Sequence, residues 1–175
     1  SMRRLFLCMI LVSWYTLLKA QYEGMEYYQE QDPAVKVKLE QWQDLKFGFF
    51  VHWGPYSQKG YCESWTICTE DVDWIQRDTI ISYDEYYRNY VNLKKTFNPV
   101  KFNPEYWADL AKEAGMKYFV FTTKHHDGFC MWDTKETDYK ITSSECPYHT
   151  APNPDILKEL FGAFQKRDFM IGAYF

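Results

Sequence analysis

Apolar residues along this chain fall into two rhythms. Val35, Leu39 and Trp42 recur at helical spacing, and Asp32-Pro33 stands just ahead as an N-cap followed by a first helical residue, so a helix is expected to about Leu45. The run Phe47 to Trp53 has no helical period. It reads as a strand buried on both faces, stopped by Gly54-Pro55. The same pairing returns twice. Asn103 caps and Pro104 opens a second helix whose apolar face is Trp107, Leu110, Ala111 and Ala114; Gly115 closes it, and Tyr118 to Thr122 follows as a buried strand. Asn153-Pro154 starts a third helix with Ile156, Leu157, Leu160, Phe161 and Phe164 inward and Lys166-Arg167 near its negative end. Met170 to Phe175 is the third strand.

Strands alternating with single helices imply parallel βαβ units. Helix-to-strand links are short, whereas the strand-to-helix links, roughly 54–103 and 123–153, are long. In a (β/α) barrel those long links lie on the C-terminal face and build the site, and long loops in a compact domain are normally functional. A doubly wound open sheet shares the βαβ pattern, but no glycine-rich phosphate loop follows the first strand, which favours the barrel. A closed barrel needs eight strands and about 250 residues; three strands in a chain of 175 residues give an α/β fold that is the N-terminal part of a (β/α)8 TIM-like barrel, left incomplete.

The start of the chain changes the picture of where it works. Arg3 and Arg4 precede the apolar run Leu5 to Leu18, with a cleavage site expected after Ala20. This reads as a secretory signal over 1–20, too short and too poorly flanked for a stable membrane anchor, with an uncleaved signal anchor as the rival. A polar, irregular linker follows over 21–31. The expected destination is secreted or periplasmic, or lysosomal in a eukaryote. Losing 1–20 removes three positive charges and no negative ones, taking the net charge from −4 to −7. So acidic a body argues against nucleic acid or an anionic membrane as partner; no oligomeric state is specified. Export permits disulfides, and Cys62, Cys68, Cys130 and Cys146 remain after the signal, with three pairings open and reduced thiols equally allowed.

Two constellations stand at expected strand ends: His52-Trp53-Gly54-Pro55, and Thr122-Thr123-Lys124-His125-His126-Asp127-Gly128-Phe129. Three of the four histidines of the chain fall in them. A lone histidine is more often structural, but this grouping at two neighbouring strand ends weakens that reading. A neutral imidazole offers one donor and one acceptor, which suits a sugar hydroxyl. A metal could use His-His-Asp, yet adjacent strand residues point to opposite faces and metal ligands must converge, so neither metal nor cofactor is expected. The 20% aromatic content serves a core first and flat sugar-stacking faces second.

From Trp42 to Phe175 the sequence resembles the α-L-fucosidases of glycoside hydrolase family 29. The resemblance rests on Lys46-Phe-Gly-Phe-Phe-Val-His-Trp-Gly-Pro-Tyr-Ser57, on Phe97-Asn-Pro with Trp107-Ala-Asp-Leu-Ala-Lys112, and on Thr122-Thr-Lys-His-His-Asp-Gly-Phe129. It implies that 32–175 is the N-terminal portion of a catalytic barrel that removes L-fucose from fucosylated oligosaccharides or glycoconjugates. By motif, His52, His125 and His126 would hydrogen-bond the sugar hydroxyls. The family's adjacent glutamate and tryptophan in the first long loop find their nearest match in Glu63-Ser64-Trp65, with one residue between; Trp65 would stack on the sugar's apolar edge, and Glu63 is a weak auxiliary acid. At the third strand end the contact would come from Phe175, or from Tyr174 if the register shifts by one. Asp127 is expected to orient the loop or a histidine. Retaining hydrolysis needs two carboxylates, and the resemblance places the family's nucleophile and general acid beyond residue 175. The rival from another class is a fucose-binding protein on the same barrel that cleaves nothing; a metal-dependent hydrolase is a third reading.

Overall fold

The computed structural model describes residues 30–69, 75, 77 and 80–175; the expected signal over 1–20 and most of the linker over 21–31 lie outside them. The chain divides into two compact units between Glu40 and Gln41, a boundary inside the first helix, α1 (Pro33–Leu45). At its start Asp32 Oδ1 accepts the Ala34 N–H at 2.8 Å, the expected cap.

The second unit is built on a parallel sheet of β1 (Gly48–Val51), β2 (Tyr118–Thr122) and β3 (Met170–Tyr174) in chain order. Phe49 pairs with Phe119 and Phe119 with Ile171; one residue on, Phe50, Val120 and Gly172 are in register. Side chains alternate across this sheet, and the two faces differ. Phe49, Phe119, Phe121 and Ile171 face a layer made by α3 (Pro104–Glu113) and α4 (Ile156–Gln165), where Ala108, Ala111, Ile156, Leu160 and Phe164 join them in one core. Phe119 stacks on Phe164 at 3.8 Å between ring centroids. Each such buried ring stabilises the fold by roughly 1.5–3 kcal/mol. The opposite face carries Phe50, which is 48% exposed. Both helices therefore cover the same face, the arrangement of a (β/α) barrel wall rather than of a doubly wound sheet, and the sheet is not closed.

Several sequence expectations change here. The first strand is not buried on both faces, because the described helices cover only one. In α3 the buried positions are Ala108 and Ala111; Leu110 and Ala114 are exposed. The third helix is capped by Asp155, whose Oδ1 accepts the Lys158 N–H at 2.9 Å, two residues past the expected Asn153. Arg167, beyond the end of α4, reaches across to α3 and bonds Asp109 at 2.7 Å and Glu105 at 2.6 Å; it holds the Asp109 carboxyl below its usual range, and Lys166 first, then Arg167, do the same for Glu105. Gly48 permits a close approach: a Cβ there would sit 2.2–2.4 Å from ring atoms of Tyr118.

The described parts of both long loops are folded. The first contains α2 (Tyr83–Val91), capped by Ser82, whose hydroxyl accepts the Glu85 N–H at 3.2 Å. Its Tyr90 packs with Tyr56 and Leu93 in a small core of their own. The loop after β2 folds on itself through Cys130 N–H to Tyr139 O, Ile141 N–H to Cys130 O and Met131 N–H to Thr123 O, each 2.9–3.0 Å, and it buries Phe129, Met131, Ile141 and Cys146. The four cysteines of the described residues are all free thiols; Cys130 and Cys146 are buried, and burial pushes both up from the ordinary thiol value.

Candidate functional site

The three strands end side by side, and their last residues set the geometry. Thr122 closes β2, and its Oγ1 donates to Val51 O at 3.3 Å and accepts the Trp53 N–H at 3.2 Å. These two bonds clasp the backbone on either side of His52. The next residue, Thr123, reaches the other way and donates its N–H and Oγ1 to Tyr174 O at 2.9 and 2.8 Å. Alternation then separates His52 from Trp53. Trp53 turns into the core against Phe97, Phe102 and Trp107, whereas the His52 ring lies 5.8 Å from His125 and 5.9 Å from Tyr174.

His125 is the hub. Its ring neighbours include His126 at 4.6 Å, His52 at 5.8 Å, Tyr174 at 6.0 Å, Tyr56 at 6.1 Å and Trp65 at 6.3 Å. It is 6% exposed. Burial first and then the neighbouring His126 hold its imidazole down to about 4 from the ordinary 6.5; the Glu63 charge pulls the other way, and His52 adds a smaller push down. It is therefore neutral near neutral pH. The turn that carries it needs Gly128, at φ +80°, whose N–H closes on His125 O at 3.0 Å. His126 stands edge-on to Trp65 at 5.0 Å.

The sequence reasoning missed one direct contact. Ser64 Oγ lies 2.5 Å from His125 Nδ1. Glu63, the residue singled out from the motif, instead accepts a bond from the Cys62 thiol at 3.5 Å and occupies a left-handed backbone position at φ +43°. Its bearing on His125 is through charge alone. The only advance signal for Ser64 was its place directly before Trp65. Asp127 behaves as an organiser of the loop: Oδ2 accepts the Tyr90 hydroxyl at 2.8 Å and Oδ1 accepts the Phe129 N–H at 3.1 Å. Burial raises its carboxyl, against the pull of those two bonds.

The ends of β3 resolve into two neighbourhoods. Tyr174 joins the histidines, while Phe175 is 77% exposed and sits under the Lys124 ammonium, 3.6 Å from its ring centroid. Both nonetheless line a hollow of about 340 Å³ with Lys124, His125, His126 and Gly128. An adjoining hollow of about 390 Å³ is lined by Ser64, Trp65, Cys68, Tyr87 and His126, so His126 forms the wall between them. A larger groove, about 620 Å³, runs elsewhere, along β1 and α3 between Phe50, Trp107 and Leu110; it is apolar and touches the polar group only at His52. No three metal-ligating side chains converge among the described residues. What the site offers is hydrogen-bonding imidazoles beside an indole and a phenol, a set matched to hydroxyls on a small ring with one apolar edge.

Residues 16–175 match the family model described as Alpha-L-fucosidase. Bovine tissue α-L-fucosidase is 33% identical over 144 residues, covering 78% of this chain and 29% of that protein. The crystal structure of a family 29 α-L-fucosidase from Bacteroides thetaiotaomicron superposes with a TM-score of 0.61 at 31% identity, over 88% of this chain and 32% of that one. An α-L-fucosidase from Lactobacillus casei, solved in complex with its α-L-fucose product, gives a TM-score of 0.57 at 35% identity, over 78% and 40%. The chain spans less than a third of the length of the first curated relatives it matches, 27% and 29%.

Proposed function

The chain belongs to the α-L-fucosidase family, and from that membership we propose that the whole protein is an exported, retaining α-L-fucosidase for which these residues supply the sugar-holding side of the cleft. The observation that carries the reading is the convergence of His52, His125 and Tyr174 at three neighbouring parallel strand ends, with Trp65 and His126 beside them. Fucose presents several hydroxyls, each both donor and acceptor, and a methyl-bearing apolar edge. The imidazoles bond the former, and the Trp65 ring packs the latter.

In the proposed reaction one carboxylate attacks the anomeric carbon, giving a glycosyl-enzyme, while a second carboxyl protonates the leaving oxygen; water then releases fucose with the anomeric configuration retained. Two carboxyls suffice, with no cofactor. Asp127 is engaged by Tyr90 and Phe129 and is assigned to holding the loop. Glu63 is at most an auxiliary acid, and the two reacting carboxyls are assigned to other parts of the whole protein. The substrate class is a fucosylated oligosaccharide or glycoconjugate. The basic and apolar start of the sequence supports export by a cleaved signal over 1–20, to a secreted, periplasmic or lysosomal destination.

The test is turnover of an aryl α-L-fucoside by the whole protein, with the anomer of released fucose followed by NMR. Retention is expected, with His52→Ala and His126→Ala each reducing kcat/KM. Fucose binding without any turnover would instead identify a sugar-binding protein on the same barrel. These 175 residues alone are expected to be inactive.

A further inference from the structure

Ser64 has a buried hydroxyl with one destination. The residue is 1% exposed. Although it holds the N-cap position of the short 3-10 helix Trp65–Ile67, its side chain accepts no backbone N–H there. The polar atom it meets is Nδ1 of His125 at 2.5 Å. A serine hydroxyl carries one proton to donate, and a neutral imidazole has one protonated and one bare nitrogen. Two arrangements fit this distance: the hydroxyl donates to a bare Nδ1, or a protonated Nδ1 donates to the hydroxyl oxygen. The second strands the Ser64 proton, because no other partner of that hydroxyl is found among the described residues, and a buried donor left unmade costs more than a made bond returns. The first leaves nothing unpaired. It also fixes the other end of the ring, since a bare Nδ1 places the single proton on Nε2, an atom with no protein partner among the described residues. The ring lines the hollow shared with His126 and Tyr174.

We propose that Ser64 is a positioning residue for sugar recognition: by donating to Nδ1 it locks His125 in the Nε2–H tautomer, so that His125 offers the ligand a donor and never a lone pair. This rests on the fucose reading of the cleft for the identity of the ligand, whereas the tautomer is a property of the free protein. The burial that keeps His125 neutral down to about pH 4 keeps the lock in place over the range in which an ordinary histidine would gain a second proton. A consequence for specificity follows. The ligand atom facing Nε2 must accept, as a hydroxyl oxygen does. An ammonium at the same position, which has no lone pair to give, is refused, and a deoxy analogue forfeits the bond.

The test is heteronuclear NMR of the whole protein with nitrogen-labelled histidines, using His125→Gln to assign the His125 signals. In the free protein at neutral pH His125 is expected to show an unprotonated Nδ1 and a protonated Nε2. Ser64→Thr, which keeps the hydroxyl, should preserve that pattern; Ser64→Ala should give a mixture of tautomers and weaken L-fucose binding roughly tenfold. A protonated Nδ1 in the wild-type protein, or an unchanged single tautomer in S64A, overturns the proposal. Should S64A fail to fold, the wild-type and S64T spectra still decide it. If the wild-type protein shows the Nε2–H tautomer but binds no L-fucose, the tautomer lock stands and the reading of the ligand falls.

Discussion

Tyr90 and Asp127 meet across 37 residues of sequence, the phenol donating to the carboxylate at 2.8 Å, and alongside the Ser64–His125 and Lys94–Glu145 contacts this bond joins the first long loop to the second. Its partners come from α2 and from the turn that carries both loop histidines, so the bond sets the height of that turn against the small tyrosine core. Tyr90→Phe should destabilise the protein by roughly 1–3 kcal/mol at neutral pH, the cost of leaving a buried acceptor under-satisfied. The pH dependence has a definite sign. Burial raises the Asp127 carboxyl in the folded state, so its contribution to stability is greatest at low pH and declines as pH rises from the ordinary carboxylate range through the raised value. The Tyr90 bond favours the ionised form and offsets that decline. The loss in Y90F should therefore be large at neutral pH and shrink on acidification, as read by denaturant unfolding at several pH values. A loss of equal size at every pH would refute the assignment.

His125 should titrate far from an ordinary histidine. Its folded value is depressed to about 4 from 6.5, so the unfolded chain takes up a proton first as pH falls. The contribution of His125 to stability is present above about 6.5 and is lost as pH drops toward 4. An NMR titration of the whole protein should place its midpoint near 4. A midpoint near the ordinary value would show that the ring is solvated rather than buried in the hub.

Tyr174 and Phe175 should separate cleanly. Tyr174→Phe removes only a hydroxyl, from a ring 6.0 Å from His125, and should weaken fucose binding by about 0.5–1.5 kcal/mol. Phe175→Tyr adds a hydroxyl on the Lys124 side and should leave affinity close to wild type. Calorimetry with L-fucose checks both, and the reverse order would move the sugar contact to Phe175.

Gly48 should tolerate no side chain. A methyl there would come within 2.2–2.4 Å of the Tyr118 ring, an overpacking that costs roughly 1–3 kcal/mol. Gly48→Ala should lower the melting temperature, and Tyr118→Ala in the same protein should recover part of the loss; simple additivity of the two changes would contradict the clash.

The strand and helix pattern was legible where a local signal and a buried face coincided. Asn103-Pro104 and the run from Tyr118 to Thr122 fall where the chemistry of caps and apolar runs puts them. Helix α2 was overlooked although Ser82-Tyr-Asp-Glu85 is a capping-box sequence, because its buried face is made of tyrosines, whose hydroxyls disguise the apolar stripe. The one-sided burial of β1 could not be read from Phe47 to Val51, since a run of apolar residues does not say how many layers will cover it. The strand-end histidines were visible from their clustering. The Ser64 to His125 bond was not, because it joins positions 61 apart and depends on the fold of a loop that carries no periodicity.

The two threonines at the end of β2 have a consequence for how a ligand is met. Thr122 clasps the chain around His52, and Thr123 holds the carbonyl of Tyr174. The mutual spacing of the rings borne by β1 and β3 is thereby settled when the sheet assembles, and not when a ligand arrives. Preorganisation of this kind removes an ordering cost from association. Affinity in such a cleft depends less on loops closing over the guest than on how well a guest fits a template that is already rigid.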